Sequence, residues 1–180
     1  MRHTRAPGHD VRFEVRMHVP FGHKQPAVLC ILTAGKHYLL LRRHREPNRD
    51  YYTPVGGKME AFESPASAAI RETAEETGFH VENVEFCGIL VDNSPGLNNW
   101  ICFVYRSEIE MADPVQTGEG VLEWIDADDL NSKPIPVSDQ FIYDFVNRGV
   151  RFVLNAYYDE SNVVYRIDDE LSGNTIYEKI

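Results

Sequence analysis

Cysteine is scarce in this chain: three in 180 residues, widely spaced, with no C-x-x-C pair. An odd, scattered set excludes a disulfide framework and a paired-thiol zinc site. Cys30, Cys87 and Cys102 each lie in an apolar run (AVLCIL, FCGIL, WICFV), so buried reduced thiols are expected. Positive charge is also short. Lys plus Arg number 18 against 28 Asp plus Glu, a formal net charge of -10. Polynucleotide binding draws most of its affinity from basic patches, so this balance excludes wrapping DNA or RNA. A small phosphorylated ligand stays possible, because a local group of cations or a bound metal can hold one polyphosphate. No apolar run reaches the length of a membrane span, and MRHTRAPGHD has no signal-peptide core. The expected setting is cytoplasmic, with no membrane partner. Repeats and Gly/Ser/Pro linkers are missing too, so a single domain is expected over 1–180, with a loose arm at 1–10 and a polar tail from Asp168.

What is present is a run of short strand signals broken by two helices. VRFEVRMHV (11–19) alternates apolar and polar residues, the period of a half-buried strand. AVLCIL and HYLLLRR flank TAGK, which predicts a hairpin turning at Gly35. YYTPV, VEFCGILVD, WICFVYRSEI, VLEWI, VRFVLNAYYD and VVYRI supply further strands. SDQFIYDFVNRG (138–149) predicts a late helix with Ser138 as its N-cap and Gly149 just past its end. Strands, an early helix, more strands and a late helix imply an α+β fold: a mixed central sheet with helices on its faces.

The early helix carries the chemistry. Ser64-Pro65 is a start signal and Gly78 a stop. Between them Ala66, Ala69, Ile70, Thr73, Ala74 and Thr77 fall on one stripe, small enough to let the helix lie close to a sheet. Glu72 lies three residues before Glu75 and four before Glu76, so these carboxylates project side by side. Like charges so spaced on an exposed helix cost only about 0.2–0.5 kcal/mol per pair, so crowding alone is compatible with a plain solvated face.

The wider pattern decides between these. Gly57, then Glu63, then RETAEETGF from Arg71 to Phe79 resembles the Nudix box, G-x5-E-x7-R-E-U-x-E-E-x-G-U, with Thr73 at the first U as the one departure. The resemblance implies a Nudix-type α/β/α sandwich with a central mixed β-sheet, and a hydrolase acting on a nucleoside diphosphate linked to another group. It implies Mg2+ or Mn2+ as cofactor, because magnesium favours several hard oxygens shared between carboxylates and phosphates. Glu75 and Glu76 would be the main ligands, beside the Gly56 carbonyl. Glu72 would bind metal or take a proton from water, and Arg71 would brace Glu63. Glu119, with Glu123 as competitor, resembles the extra acid of MutT-like members. Arg42, Arg43 and Lys58 are candidates for phosphate oxygens; without a ligand they simply balance the acidic site. The layout resembles the MutT and oxidised-purine branch, which implies a nucleoside triphosphate such as 8-oxo-dGTP as substrate. Ser138 and Asp139 in PIPVSDQF stand near the base-reading position of that branch. Tyr51, Tyr52, Trp100 and Phe103 could stack on a base, and Asn98 and Asn99 could hydrogen-bond it, although strand aromatics are mostly core. An ADP-ribose or nucleotide-sugar pyrophosphatase, or a non-hydrolytic sensor, are the alternatives.

Overall fold

The computed structural model describes residues 22–96, 99–116 and 118–179. The strand expected at 11–19, the arm at 1–10 and Asn98 lie outside these. Within them the chain forms β1 (Gln25–Ala34), β2 (His37–Arg43), β3 (Tyr52–Thr53), α1 (Pro65–Thr77), β4 (Glu85–Asn93), β5 (Trp100–Glu108), β6 (Gly120–Asp126), α2 (Val137–Asn147), β7 (Phe152–Tyr158), β8 (Val164–Asp169) and β9 (Asn174–Glu178). A short 3-10 helix over Ala127–Ser132 joins β6 to α2.

The strands form one sheet in the order β3-β2-β1-β5-β4-β7-β8-β9, with β6 along the other side of β2. β1 runs parallel to β5, and β4 parallel to β7; the other pairings are antiparallel. A strand buried on both faces shows no polar alternation, which is why AVLCIL reads as an unbroken apolar run. Its residues nevertheless divide by period two. Val28, Cys30 and Leu32 face one core with Leu39, Leu41, Val55, Ala68 and Ala69, beneath α1. Ala27 and Ile31 face a second core with Leu40, Cys102, Val104, Ile142 and Tyr143, beneath α2. A helix thus covers each side of the mixed sheet, the expected sandwich. All three thiols are free and buried, as expected. Among the described residues no helix is long and apolar enough to cross a membrane.

Two expectations need correction. The residues from Asp168 are no fraying tail: β9 pairs with β8 from Arg166↔Glu178 to Asp169↔Asn174. Asp169 anchors the turn between them, accepting from the N–H groups of Leu171 (3.2 Å) and Ser172 (3.3 Å). Nor does Ser138 cap α2. The helix starts behind Pro136 with no side-chain cap, and Ser138 is buried in its first turn. Proline sets the entry angle and lets the hydroxyl turn inwards.

Candidate active site

The two glycines of VGGK sit where the chain runs back along β1. Val28 N–H donates to the Gly57 carbonyl (2.9 Å) and Cys30 N–H to that of Val55 (2.8 Å). Gly56 is pressed against β1 so closely that an added Cβ would stand 2.1 Å from the Val28 carbonyl oxygen, and its φ of +152° is a further bar to a side chain. A Cβ on Gly57 would stand 2.6 Å from the Glu72 carboxylate. The tight pair brings the backbone onto the acidic face of α1 with no atom between.

Helix α1 is built as its ends predict. Ser64 Oγ accepts from the Ser67 N–H at 3.1 Å, Pro65 opens the first turn, and Gly78 closes it at φ +76°. Ala68, Ala69, Thr73 and Thr77 are buried against the sheet. Thr73, in the apolar position of the motif, donates to the Ala69 carbonyl at 2.7 Å, so its hydroxyl costs little there.

The same buried face contains a carboxylate. Glu76 is 7% exposed, and its Oε2 accepts from the Gly56 N–H at 3.0 Å. Burial pushes its acid up to about 8, offset by the Gly56 hydrogen bond and reinforced by the charges of Glu119 and Glu72. Glu72 is raised as well, by burial first, against the pull of Arg71 and with the push of Glu75 and Glu119. Glu119 therefore lies within electrostatic reach of both. Glu123 is engaged elsewhere, accepting from the Tyr52 hydroxyl at 3.1 Å.

Arg71 organises the remaining acids. It holds Glu63 with two parallel bonds, Nε to Oε1 and Nη2 to Oε2, both 2.9 Å. Nη1 reaches Glu72 (2.8 Å) and Glu75 (3.0 Å), and Nη2 also donates to the Lys58 carbonyl (3.1 Å). A bidentate pair adds direction as well as energy. This is the expected brace between loop and helix, extended to two more glutamates. Glu63 is held below the usual carboxylate range by that contact and by the Glu60 N–H. Arg71 and the Gly56 N–H hold these carboxylates, and among the described residues no three histidine, cysteine or acidic side chains are arranged as a ready metal cage. The Glu75 side chain is 60% exposed and free to turn.

The other candidates separate. Arg42 lies 3.7 Å from Asp50. Arg43 donates to the Pro47 carbonyl (2.8 Å), and its charge bears on both Glu76 and Asp139. Lys58 Nζ stands 5.6 Å over the half-buried Trp100 ring. Tyr52 is buried, with Lys133 over its ring at 5.5 Å. Tyr51 is exposed, while Phe103 packs partly buried on the α1 side. Asn99 is spent on its own loop, bonding Ser94 and Gly96.

Ser138 and Asp139 belong to a polar cluster that was only half visible in the sequence. Ser138 donates to Asp139 at 3.2 Å, both buried. Tyr158 donates to Asp92 at 2.9 Å, and the buried Tyr143 hydroxyl has no partner among the described residues. Burial pushes Asp139 up to about 7, opposed by Ser138 and Arg43 and supported by Asp92, itself raised to about 6. Asp92 and Tyr158 come from strands 47 and 19 residues from Asp139 (139 − 92 and 158 − 139), and no local pattern links them. Because folded Asp139 binds its proton more tightly than an unfolded aspartate, stability falls as pH rises from about 4 to about 7. Asp139→Asn removes that slope. Its melting temperature should match the parent near pH 4 and exceed it by several degrees at pH 8 in parallel thermal melts; equal pH slopes would contradict this.

The NUDIX domain model matches residues 23–145. YvcI of Bacillus subtilis (strain 168), described as an uncharacterized Nudix hydrolase, is 32% identical over 125 residues, covering 67% of this chain and 77% of that protein. An NAD-capped RNA hydrolase, NudC of Vibrio parahaemolyticus, is 36% identical over 61 residues, 33% of this chain and 24% of NudC. Among solved structures, a mutator MutT protein from Bacillus halodurans shares 28% identity with a TM-score of 0.71, covering 82% of this chain and 98% of that one. The NUDIX domain of Shewanella oneidensis NrtR, complexed with ADP ribose, is similar in fold alone: 16% identity, TM-score 0.63, 71% and 89% coverage. By the span of that domain match and the identity to YvcI, the chain belongs to the Nudix family, whose hydrolases act on phosphoanhydride bonds of nucleotide derivatives.

Proposed function

We propose that this chain is a pyrophosphohydrolase that cleaves a nucleoside triphosphate to the monophosphate and pyrophosphate, with an oxidised purine such as 8-oxo-dGTP as the leading substrate and Mg2+ or Mn2+ as cofactor. One observation carries the reading: a buried carboxylate, Glu76, lies against the Gly56–Gly57 backbone within the field of Glu72 and Glu119. Against that burial stand the Gly56 N–H and the more distant charge of Arg43.

Nudix hydrolases generally use divalent metal ions, and the donor set fits one. Glu72, Glu75, Glu76 and Glu119 are hard oxygen donors, and the raised pKa values of Glu72 and Glu76 express burial and mutual repulsion that a cation relieves. These four side chains and the Gly56 carbonyl would hold it. Bound there, the ion would withdraw charge from the phosphates and lower the pKa of a water.

The chain's own groups do the rest. Glu72, half-buried and raised, is the base that takes a proton from the attacking water; Glu75 is an equally placed ligand once it leaves Arg71. Arg71 and Glu63 keep the loop on the helix, so the glycine backbone stays against Glu72 and Glu76. Arg42, Arg43 and Lys58 supply cations to the phosphates. Ser138 and Asp139 offer a hydroxyl and a carboxyl to the base. Such a site works chiefly by positioning and electrostatics.

A panel of triphosphates, oxidised triphosphates, ADP-ribose and nucleotide sugars, with products resolved by chromatography, tests this. Monophosphate plus pyrophosphate from a triphosphate is the expected result. Turnover confined to ADP-ribose or a sugar nucleotide would replace the substrate assignment. Metal-dependent binding without turnover of any phosphoanhydride would leave a sensor instead.

A further inference from the structure

Phe62 stands out from every other described residue. Phe62 is 110% exposed, more open than in a reference peptide, so it packs against none of the other described residues. Its φ is +65°. The other described non-glycine residues with positive φ are Asn48, Asp50 and Asn162, the residue types that tolerate it. Phe62 occupies the third position of a turn from Glu60 to Glu63, where the Glu63 N–H donates to the Glu60 carbonyl at 3.4 Å. Positive φ at that place in the turn calls for glycine. Single exposed apolar residues are ordinary, but a bulky ring in a backbone conformation it disfavours, without a packing contact in return, is not. Glu63 holds the turn through the Glu60 N–H and Arg71, but the ring itself makes no contact with the described residues that offsets its strain.

The location narrows what another molecule would offer the ring. Glu63, the next residue, is held bidentately by Arg71, which also grips Glu72 and Glu75. The ring is thus fixed one residue from the brace of the carboxylate cluster. Glu60 and Glu63 share its turn, and carboxylates there repel phosphate and tolerate a neutral or cationic group. We propose that Phe62 is a stacking platform for a neutral or cationic planar ring of the substrate, so that selection depends on an aromatic heterocycle outside the phosphates. This rests on the hydrolytic reading of the site; the ring itself takes no part in bond breaking.

Three variants test it: Phe62→Gly, Phe62→Leu and Phe62→Trp. Phe62→Gly is expected to raise the melting temperature, because glycine suits the turn; a fall would place the ring inside the fold's own packing and overturn the proposal. With a nucleoside triphosphate, Phe62→Gly should raise KM about tenfold, the scale of one base–aromatic stack, with kcat far less affected and Phe62→Leu in between. KM for ribose 5-triphosphate, which lacks the base, should stay the same. Equal changes for both compounds, or none, would refute a stacking role. Should the parent hydrolyse no compound, the function fails but the platform is still measurable: in Phe62→Trp, AMP with Mg2+ should quench the new tryptophan emission and ribose 5-phosphate should not. Equal quenching, or none, counts against it. A shift in sedimentation of Phe62→Gly with KM unchanged would assign the ring to contact with a second copy, and would also overturn it.

Discussion

Glu76→Gln is expected to lower kcat by about a thousandfold, the scale for loss of one preorganised electrostatic group, and at the same time to stabilise the metal-free protein. The opposite signs are the point. In the absence of cation, Glu76 is a buried acid whose folded value, about 8, lies far above the ordinary carboxylate range. The native state therefore binds its proton more tightly than the unfolded chain does, and stability falls as pH climbs from about 4.5 to about 8. Glutamine keeps the shape and the acceptor for the Gly56 N–H but cannot ionise. With a chelator present, the variant should melt several degrees above the parent at pH 8 and show no advantage near pH 4.5. Added magnesium should raise the parent's melting temperature through preferential binding to the folded form, and move the variant much less. A variant that loses stability together with activity would make Glu76 a structural residue.

The second large effect belongs to Arg71. Its guanidinium holds Glu63, Glu72, Glu75 and the Lys58 carbonyl at 2.8 to 3.1 Å, with the side chain 23% exposed. Arg71→Ala frees the loop and leaves three carboxylates facing each other. Isolated surface pairs contribute almost nothing, but a partly buried network with bidentate geometry does. We expect kcat/KM to fall at least a hundredfold through misplacement of the glycine backbone, and the metal-free melting temperature to fall by roughly 5 °C. Magnesium should restore more of that loss than it adds to the parent, since the ion replaces the missing positive charge. Arg71→Lys, a single point charge in place of the fork, should recover part of the stability and little of the activity. If both substitutions left the rates intact, the brace would be ornamental.

Much of this was legible in the chain itself, and the limits have physical reasons. Ser64-Pro65 and Gly78 bounded α1 because capping is a local matter of a few backbone groups. The hairpin at Gly35 and the two-layered core followed from residue periodicity, which fold geometry obeys over ten residues or so. β9 escaped because its short segment, NTIYE, is mostly polar and exposed, and only β8 gives it a partner. Ser138 was misjudged as a cap because a serine before a helix is the commonest cap; the proline two places earlier took the terminus instead. At the site, the side-by-side glutamates follow from their spacing, while the Glu63–Arg71 brace follows from the resemblance to the Nudix box. That Arg71 also restrains Glu72 and Glu75, and that Asp92 and Tyr158 meet Ser138 and Asp139, depended on rotamers and strand order. Spacing does not record those.

The pairing of β1 with β5 bears on how the protein is made. Gln25 lies beside Trp100 and Thr33 beside Glu108, while the intervening stretch carries the glycines and α1. Glu119 arrives later still, at the foot of β6, its carbonyl accepting from the His44 N–H at 2.9 Å. A nascent chain that has emerged from the ribosome through Phe79 contains the complete motif with β1 and β2 to pack against, but neither the β5 that flanks β1 nor the β6 that flanks β2. Parallel pairing across such a gap carries a heavy loop-closure cost before any contact repays it. Competence should therefore appear late and all at once during synthesis, when β6 closes on β2, and truncated translation products should be inert although they hold every glutamate of the motif.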